Sequence, residues 1–171
     1  MIFTLVASSD AVVIPENSWE TISLCSFQIY FSPFTSCVSL ETIRSVESPY
    51  SDTRLVMLPG YCASSDTTIM SKTIMPDDDF VAASVHAYSP YSFAMDDKAD
   101  HTEFTAAHQA ELINIMDGIR KTFSDKDIPV VLGEFSASDF NNTDARCEWA
   151  EVYLKTTKAY GFPTVTRRVS L

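Results

Sequence analysis

The sequence predicts an α/β fold in which short parallel strands alternate with amphipathic helices. Three observations predict it. Short apolar runs end in turn residues or polar side chains, helix-period stretches lie between them, and the strand, helix, strand, helix order fits right-handed crossovers. The chain has 171 residues, 46% of them hydrophobic and 20% charged, so one domain with a packed core is expected.

Residues 1–39 form an atypical N-terminal segment. The first fifty residues hold ten serines and a single basic residue, Arg44, and their apolar positions follow no clear period. The first strand falls at Arg54–Leu58 and is closed by Pro59 and Gly60. The second runs from Phe80 to Tyr88 after a turn at Pro76–Asp79. From Thr102 to Phe123, Phe104, Leu112, Ile115, Met116, Ile119 and Phe123 recur at helical spacing, which predicts a crossover helix with one face on the core. Ile128–Phe135 is apolar almost throughout, as a parallel strand covered on its outer face would be. A last helix spans about Thr143–Tyr160 with Ala145, Trp149, Val152, Tyr153 and Thr156 on one side. It stops at Gly161, with Pro163 just beyond.

Ligands of parallel sheets bind at the carboxyl ends of the strands, and the polar residues of these strands lie there. His86 and Tyr88 are two apart on the second strand and share a face, while Glu134 sits near the end of the third. Read from the residues alone, Glu134 is either a functional carboxylate or a strand-end carboxylate turned to solvent. His86 is either a site residue or a core histidine held by a backbone hydrogen bond. Tyr88, Tyr91 and Phe93 follow the second strand as aromatic faces on which a sugar ring can stack, with core packing as the alternative. His101 and His108 are expected on the solvent side of the helix, without a role.

Other chemistries lose support. A net charge of −11 is the wrong sign for a nucleic-acid partner, whose binding rests on clustered Lys and Arg. No apolar run approaches the ~20 residues of a membrane span. Asp77-Asp78-Asp79 lacks the spacing of a calcium loop and is expected to be a solvated turn. Phosphate-cradle, zinc-protease and nucleophile-elbow motifs are absent from the sequence, so nucleotide, zinc-protease and serine-hydrolase readings lose support. The cysteines, Cys25, Cys37, Cys62 and Cys147, are widely spaced and expected as buried thiols, with three disulfide pairings open in an oxidising compartment.

Three blocks in order carry a resemblance: Arg54–Tyr61 (RLVMLPGY), Val85–Met95 (VHAYSPYSFAM) and Pro129–Phe135 (PVVLGEF), followed by Arg146 and Trp149. Together they resemble the fifth, sixth and seventh strand regions of family 5 glycoside hydrolases, the cellulase or endo-β-1,4-glucanase family, over roughly Leu40–Val165. The resemblance implies a partial (β/α)8 TIM barrel, roughly strands five to seven with their helices, over residues 40–165, and leaves 166–171 as a tail. It implies retaining hydrolysis of β-glucans, a mechanism that requires no metal or cofactor, with Glu134 as nucleophile, Tyr88 hydrogen-bonded to it and His86 lining the subsite at the scissile bond. Tyr91 and Phe93 are expected to contact substrate. The expected partner is a β-linked polysaccharide or oligosaccharide, and secretion follows from a polymeric substrate although the start lacks the basic region of a signal peptide.

The sequence departs from the family pattern in two places. No Asn-Glu-Pro occurs, so the acid/base is unassigned; Pro15-Glu16-Asn17 has the residue types in reverse order. Past Val165 the strand-eight Trp of the family is missing. A closed barrel takes ~250 residues, so the expectation is a fragment holding its later part, with open strand edges that favour self-association. The alternative function is a catalytically incomplete, glycan-binding remnant.

Overall fold

The computed structural model describes residues 40–166. Residues 1–39, with Cys25, Cys37 and Pro15-Glu16-Asn17, and most of the 166–171 tail lie outside the described residues. Helix α1 occupies residues 40–44. It is followed by strand β1 (Val56–Pro59), helix α2 (Thr67–Met70), β2 (Val81–His86), α3 (Tyr91–Ala94), α4 (Ala106–Thr122), β3 (Val130–Phe135), α5 (Thr143–Ala159) and β4 (Thr164–Thr166). The strands form a four-stranded sheet in the order β1-β2-β3-β4, every pair parallel. Sequential order with helical crossovers is the topology of consecutive barrel units.

Each expected strand is present: β1 starts two residues later and takes in Pro59, β2 is trimmed at both ends, and β3 starts two residues later. β4 adds a fourth strand after the expected three. Ala83 and Val85 on β2, Ala87 just past it, and Val130, Leu132 and Phe135 on β3 meet α4 and α5 in the main core. There Leu112, Met116 and Ile119 come from α4, and Ala145, Trp149 and Tyr153 from α5. A smaller cluster joins Leu40 and Ile43 of α1 to Val56, Leu58 and Val81. Strand alternation leaves Ala82, Ser84 and His86 on the opposite face, the one a barrel turns to its axis.

The helix ends follow from local chemistry. Thr105 caps α4: its hydroxyl accepts from the His108 amide at 3.3 Å, and His108 Nδ1 accepts from the Thr105 amide at 3.2 Å. Arg120 and Lys121 lie in the last turn, where cations offset the helix dipole. Gly161 follows α5 at φ +72°, the left-handed geometry that ends many helices.

Five sequence expectations need correction. Phe93 is fully buried in the main core and cannot stack on a sugar. It lies two residues from Tyr91 in a helix, and such positions point ~200° apart, so only one of the two reaches the cleft. His101 is not on a solvent-facing helix; it precedes α4 and is buried. His108 has a role, as part of the α4 cap. Cys62 and Cys147 are exposed rather than buried. The Asp77–Asp79 turn is also more than a solvated loop, since Asp78 takes both forks of Arg44 at 3.0 Å. Arg44 further donates to the carbonyls of Ser51 at 2.6 Å and Arg54 at 2.9 Å, tying α1 to the start of the sheet.

Candidate active site

The carboxyl end of the sheet gathers one carboxylate, one imidazole and one phenol. Between Val85–Leu132 and His86–Glu134 the register of β2 and β3 shifts, leaving Gly133 as an extra residue on β3. This bulge turns Glu134 beside His86. A Cβ on Gly133 would stand 2.7 Å from Ser84 Oγ and 3.2 Å from the His86 ring, so the strand passes the imidazole closely only because no side chain is there.

Tyr88 donates its hydroxyl proton to Glu134 Oε2 at 2.5 Å. His86 Nδ1 lies 3.5 Å from the same oxygen, an electrostatic contact beyond ordinary hydrogen-bond length. The Glu134 side chain is 22% exposed and that of His86 34%, so both remain open to a ligand while shielded from bulk water on one side. A carboxylate fixed by a phenol, with one face toward a cleft, is oriented for attack on an electrophilic carbon or for accepting a proton.

α5 holds this end of β2 from behind. Trp149 Nε1 donates to the Ser89 carbonyl at 2.8 Å, and the buried Tyr153 hydroxyl donates to the Ala87 carbonyl at 3.0 Å. The Ala87 amide in turn donates to the Glu134 carbonyl at 3.0 Å. Ala87 therefore couples the helix, the strand bearing His86 and Tyr88, and the backbone of Glu134. The Tyr153 ring stacks on Phe135 at 4.4 Å, which fixes the donor's position.

An open cleft beside the triad is lined by Asp66, His86, Tyr88, Tyr91, Glu111 and Ile115, among others. Tyr91 is 63% exposed there. A second concavity, at the opposite end of the sheet, is lined by Leu55, Ala82, Ile128, Val131 and Phe162 and carries no comparable chemistry. The structure thus brings His86, Tyr88 and Tyr91 to one cleft, with Glu134 held beside it through Tyr88, and sends Phe93 to the core. Sequence reasoning missed Asp66 and Glu111, since neither stands in a motif or at a strand end. Among the described residues no cluster of three His, Cys, Asp or Glu side chains could hold a metal ion.

Parallel β/α units with polar side chains collected at the carboxyl end define a sector of a (β/α)-barrel enzyme fold. The family model Cellulase (glycosyl hydrolase family 5) matches residues 38–166, and the chain belongs to that family. Endoglucanase A of Clostridium longisporum is 40% identical over 132 residues, covering 76% of this chain and 25% of that protein. Among solved structures, a broad specificity GH5-4 endoglucanase from Ruminococcus flavefaciens superposes with a TM-score of 0.72 at 48% identity, over 74% of this chain and 37% of that one. A GH5-4 broad specificity endoglucanase from Ruminococcus champanellensis with bound cellotriose gives a TM-score of 0.72 at 28% identity, over 78% of this chain and 39% of its own. The chain therefore spans between a quarter and two fifths of the length of these relatives.

Proposed function

We propose that this chain carries the nucleophile side of a retaining endo-β-1,4-glucanase site. Glu134 attacks the anomeric carbon of a β-glucan, the bond from that carbon to the glycosidic oxygen breaks as the leaving sugar takes a proton from an acid, and water then hydrolyses the covalent glycosyl-enzyme. Tyr88 orients the attacking carboxylate, His86 borders the scissile bond, and Tyr91 offers its exposed ring to a neighbouring sugar. The observation that carries this reading is the 2.5 Å hydrogen bond from Tyr88 to Glu134 at the carboxyl end of a barrel-type sheet. Membership of the cellulase family and the cellotriose bound by a structural relative support the substrate class.

A retaining glycosidase also needs a proton donor about 5–5.5 Å from the nucleophile, and no residue of this chain is assigned that role. The second reading, a glycan-binding remnant without turnover, rests on the missing Asn-Glu-Pro. Reducing-sugar release from soluble β-glucan, by the parent chain and by Glu134→Gln, separates the two. Activity that is lost in the variant supports the hydrolase, and inactivity of both with retained β-glucan binding supports the remnant. A Glu134→Gln protein as active as the parent overturns the proposed site. Self-association through β1 and β4, each paired on one side among the described residues, would appear as a concentration-dependent sedimentation coefficient. Action on a polymer outside the cell implies secretion.

A further inference from the structure

His101 lies on the stretch between α3 and α4, and both of its ring nitrogens face backbone carbonyl oxygens. Nδ1 is 2.9 Å from the Phe93 carbonyl, and Nε2 is bonded to the Asp96 carbonyl. A carbonyl oxygen only accepts, so both bonds exist together only when both nitrogens carry protons, in the imidazolium form. The ring is buried and stacks on Phe140 at 3.9 Å with an interplanar angle of 11°, an arrangement that favours a cation over an aromatic face.

The same residue joins two loops at the site end of the sheet. The Asn142 side-chain amide donates to the His101 carbonyl at 2.9 Å, and the Ser138 amide donates to the Ala94 carbonyl at 2.9 Å. Phe93 and Asp96 bracket the end of α3, whose first residue is Tyr91. The charged groups on the segments packed around the ring are Asp96, Asp97, Lys98 and Asp100 on its own loop. Glu103 and His108 lie toward α4, and Asp139 and Arg146 lie beyond Phe140, paired with each other at 3.1 Å. The amide and hydroxyl of Thr102 hold the Asp100 carboxyl below its ordinary range, and attraction to His101 adds to this.

The geometry points to His101 as a positioning residue: as an imidazolium it clamps the carbonyls of Phe93 and Asp96, fixing the Tyr91-bearing wall of the cleft. The clamp rests on the loop geometry alone; only the substrate meaning of Tyr91 rests on the glucanase reading. A neutral imidazole donates once, so it could hold only one of the two carbonyls.

The test uses the 171-residue chain and no substrate. Long-range ¹H–¹⁵N correlation spectra report the protonation of each ring nitrogen, and hydrogen exchange reports the Met95 and Asp96 amides, which both donate to the Tyr91 carbonyl. Both His101 nitrogens are expected to carry protons in the folded chain. Exchange at Met95 and Asp96 is expected to be about tenfold or more faster in His101→Gln than in the parent, the effect of losing a charge-assisted hydrogen bond. A ring protonated at one nitrogen only, or exchange equal in parent and variant, overturns the clamp, and the parent spectra decide this even if the variant fails to fold. Labelling of Glu134 by a glycoside would stand or fall separately.

Discussion

Tyr153→Phe removes one oxygen atom from a buried side chain while leaving the ring stacked on Phe135. The loss falls on the Ala87 carbonyl, which accepts the Tyr153 hydroxyl at 3.0 Å, while Ala87 itself is fully buried. An acceptor left unsatisfied in the interior costs about 1–3 kcal/mol. For a domain of this size that lowers Tm by roughly 3–10 °C, readable by circular dichroism at neutral pH. The substitution also has a pH signature. Burial, with a smaller contribution from Tyr88, pushes the Tyr153 phenol well above its ordinary value of 10.0. A raised phenol pKa contributes stability that is fully present below the unfolded value, about 10, and is lost as pH climbs above it, because the unfolded chain ionises first. The Tm gap between parent and variant therefore narrows above about pH 10. A variant as stable as the parent at pH 7, or a gap that widens in alkali, would refute the linkage drawn through Ala87.

Three further substitutions probe the site and its support. Tyr88→Phe deletes the bond to Glu134; a hydrogen bond to a charged group is worth about 1.5–3 kcal/mol, so under the proposed function kcat on β-glucan falls roughly 10- to 150-fold, with Tm changed little, and an unaltered kcat sinks the orienting role. Gly133→Ala places a Cβ against Ser84 and the His86 ring; it costs about 1–3 kcal/mol in urea unfolding and shifts the His86 ring resonances, and resonances left in place would contradict the close approach. Arg44→Met breaks the fork to Asp78 and the bonds to two carbonyls, lowering stability by about 2–3 kcal/mol. Its hydrogen bond, above all, holds the Asp78 carboxyl below its ordinary range. That contribution is present above the unfolded carboxylate pKa and lost as pH falls through the lower folded value. The difference between parent and variant therefore shrinks in acid, and a constant difference would argue against the ion pair.

The strand cores and both long helices were legible because their signals are strong: near-continuous apolar runs for β1, β2 and β3, and buried positions four apart in α5 at Ala145, Trp149 and Tyr153. Gly161 marked the end of α5 through its backbone freedom alone. The four-residue helices α2 and α3 were not legible, since so short a stretch shows no period. That is also why Phe93 was grouped with Tyr91 and not with the core. β4 holds three residues, two of them Thr, too few for a strand pattern. In the site, Glu134, His86 and Tyr88 stood out as polar groups at the ends of apolar strands. The bulge at Gly133 that brings the first two together depends on the register of two strands 44 or more residues apart in sequence. His101 was misplaced because its partners are backbone carbonyls, which leave no trace in side-chain identity.

The central claim is that Glu134 is a nucleophile, and it can be tested without the unassigned proton donor. A 2-deoxy-2-fluoro cellobioside with a dinitrophenolate leaving group needs no acid assistance, and its fluorine slows hydrolysis of the glycosyl-enzyme. Mass spectrometry of the folded chain after incubation should show one added glycosyl unit, on the peptide containing Glu134, and none in Glu134→Gln. A folded chain that stays unlabelled, or one labelled at another residue, would contradict the account.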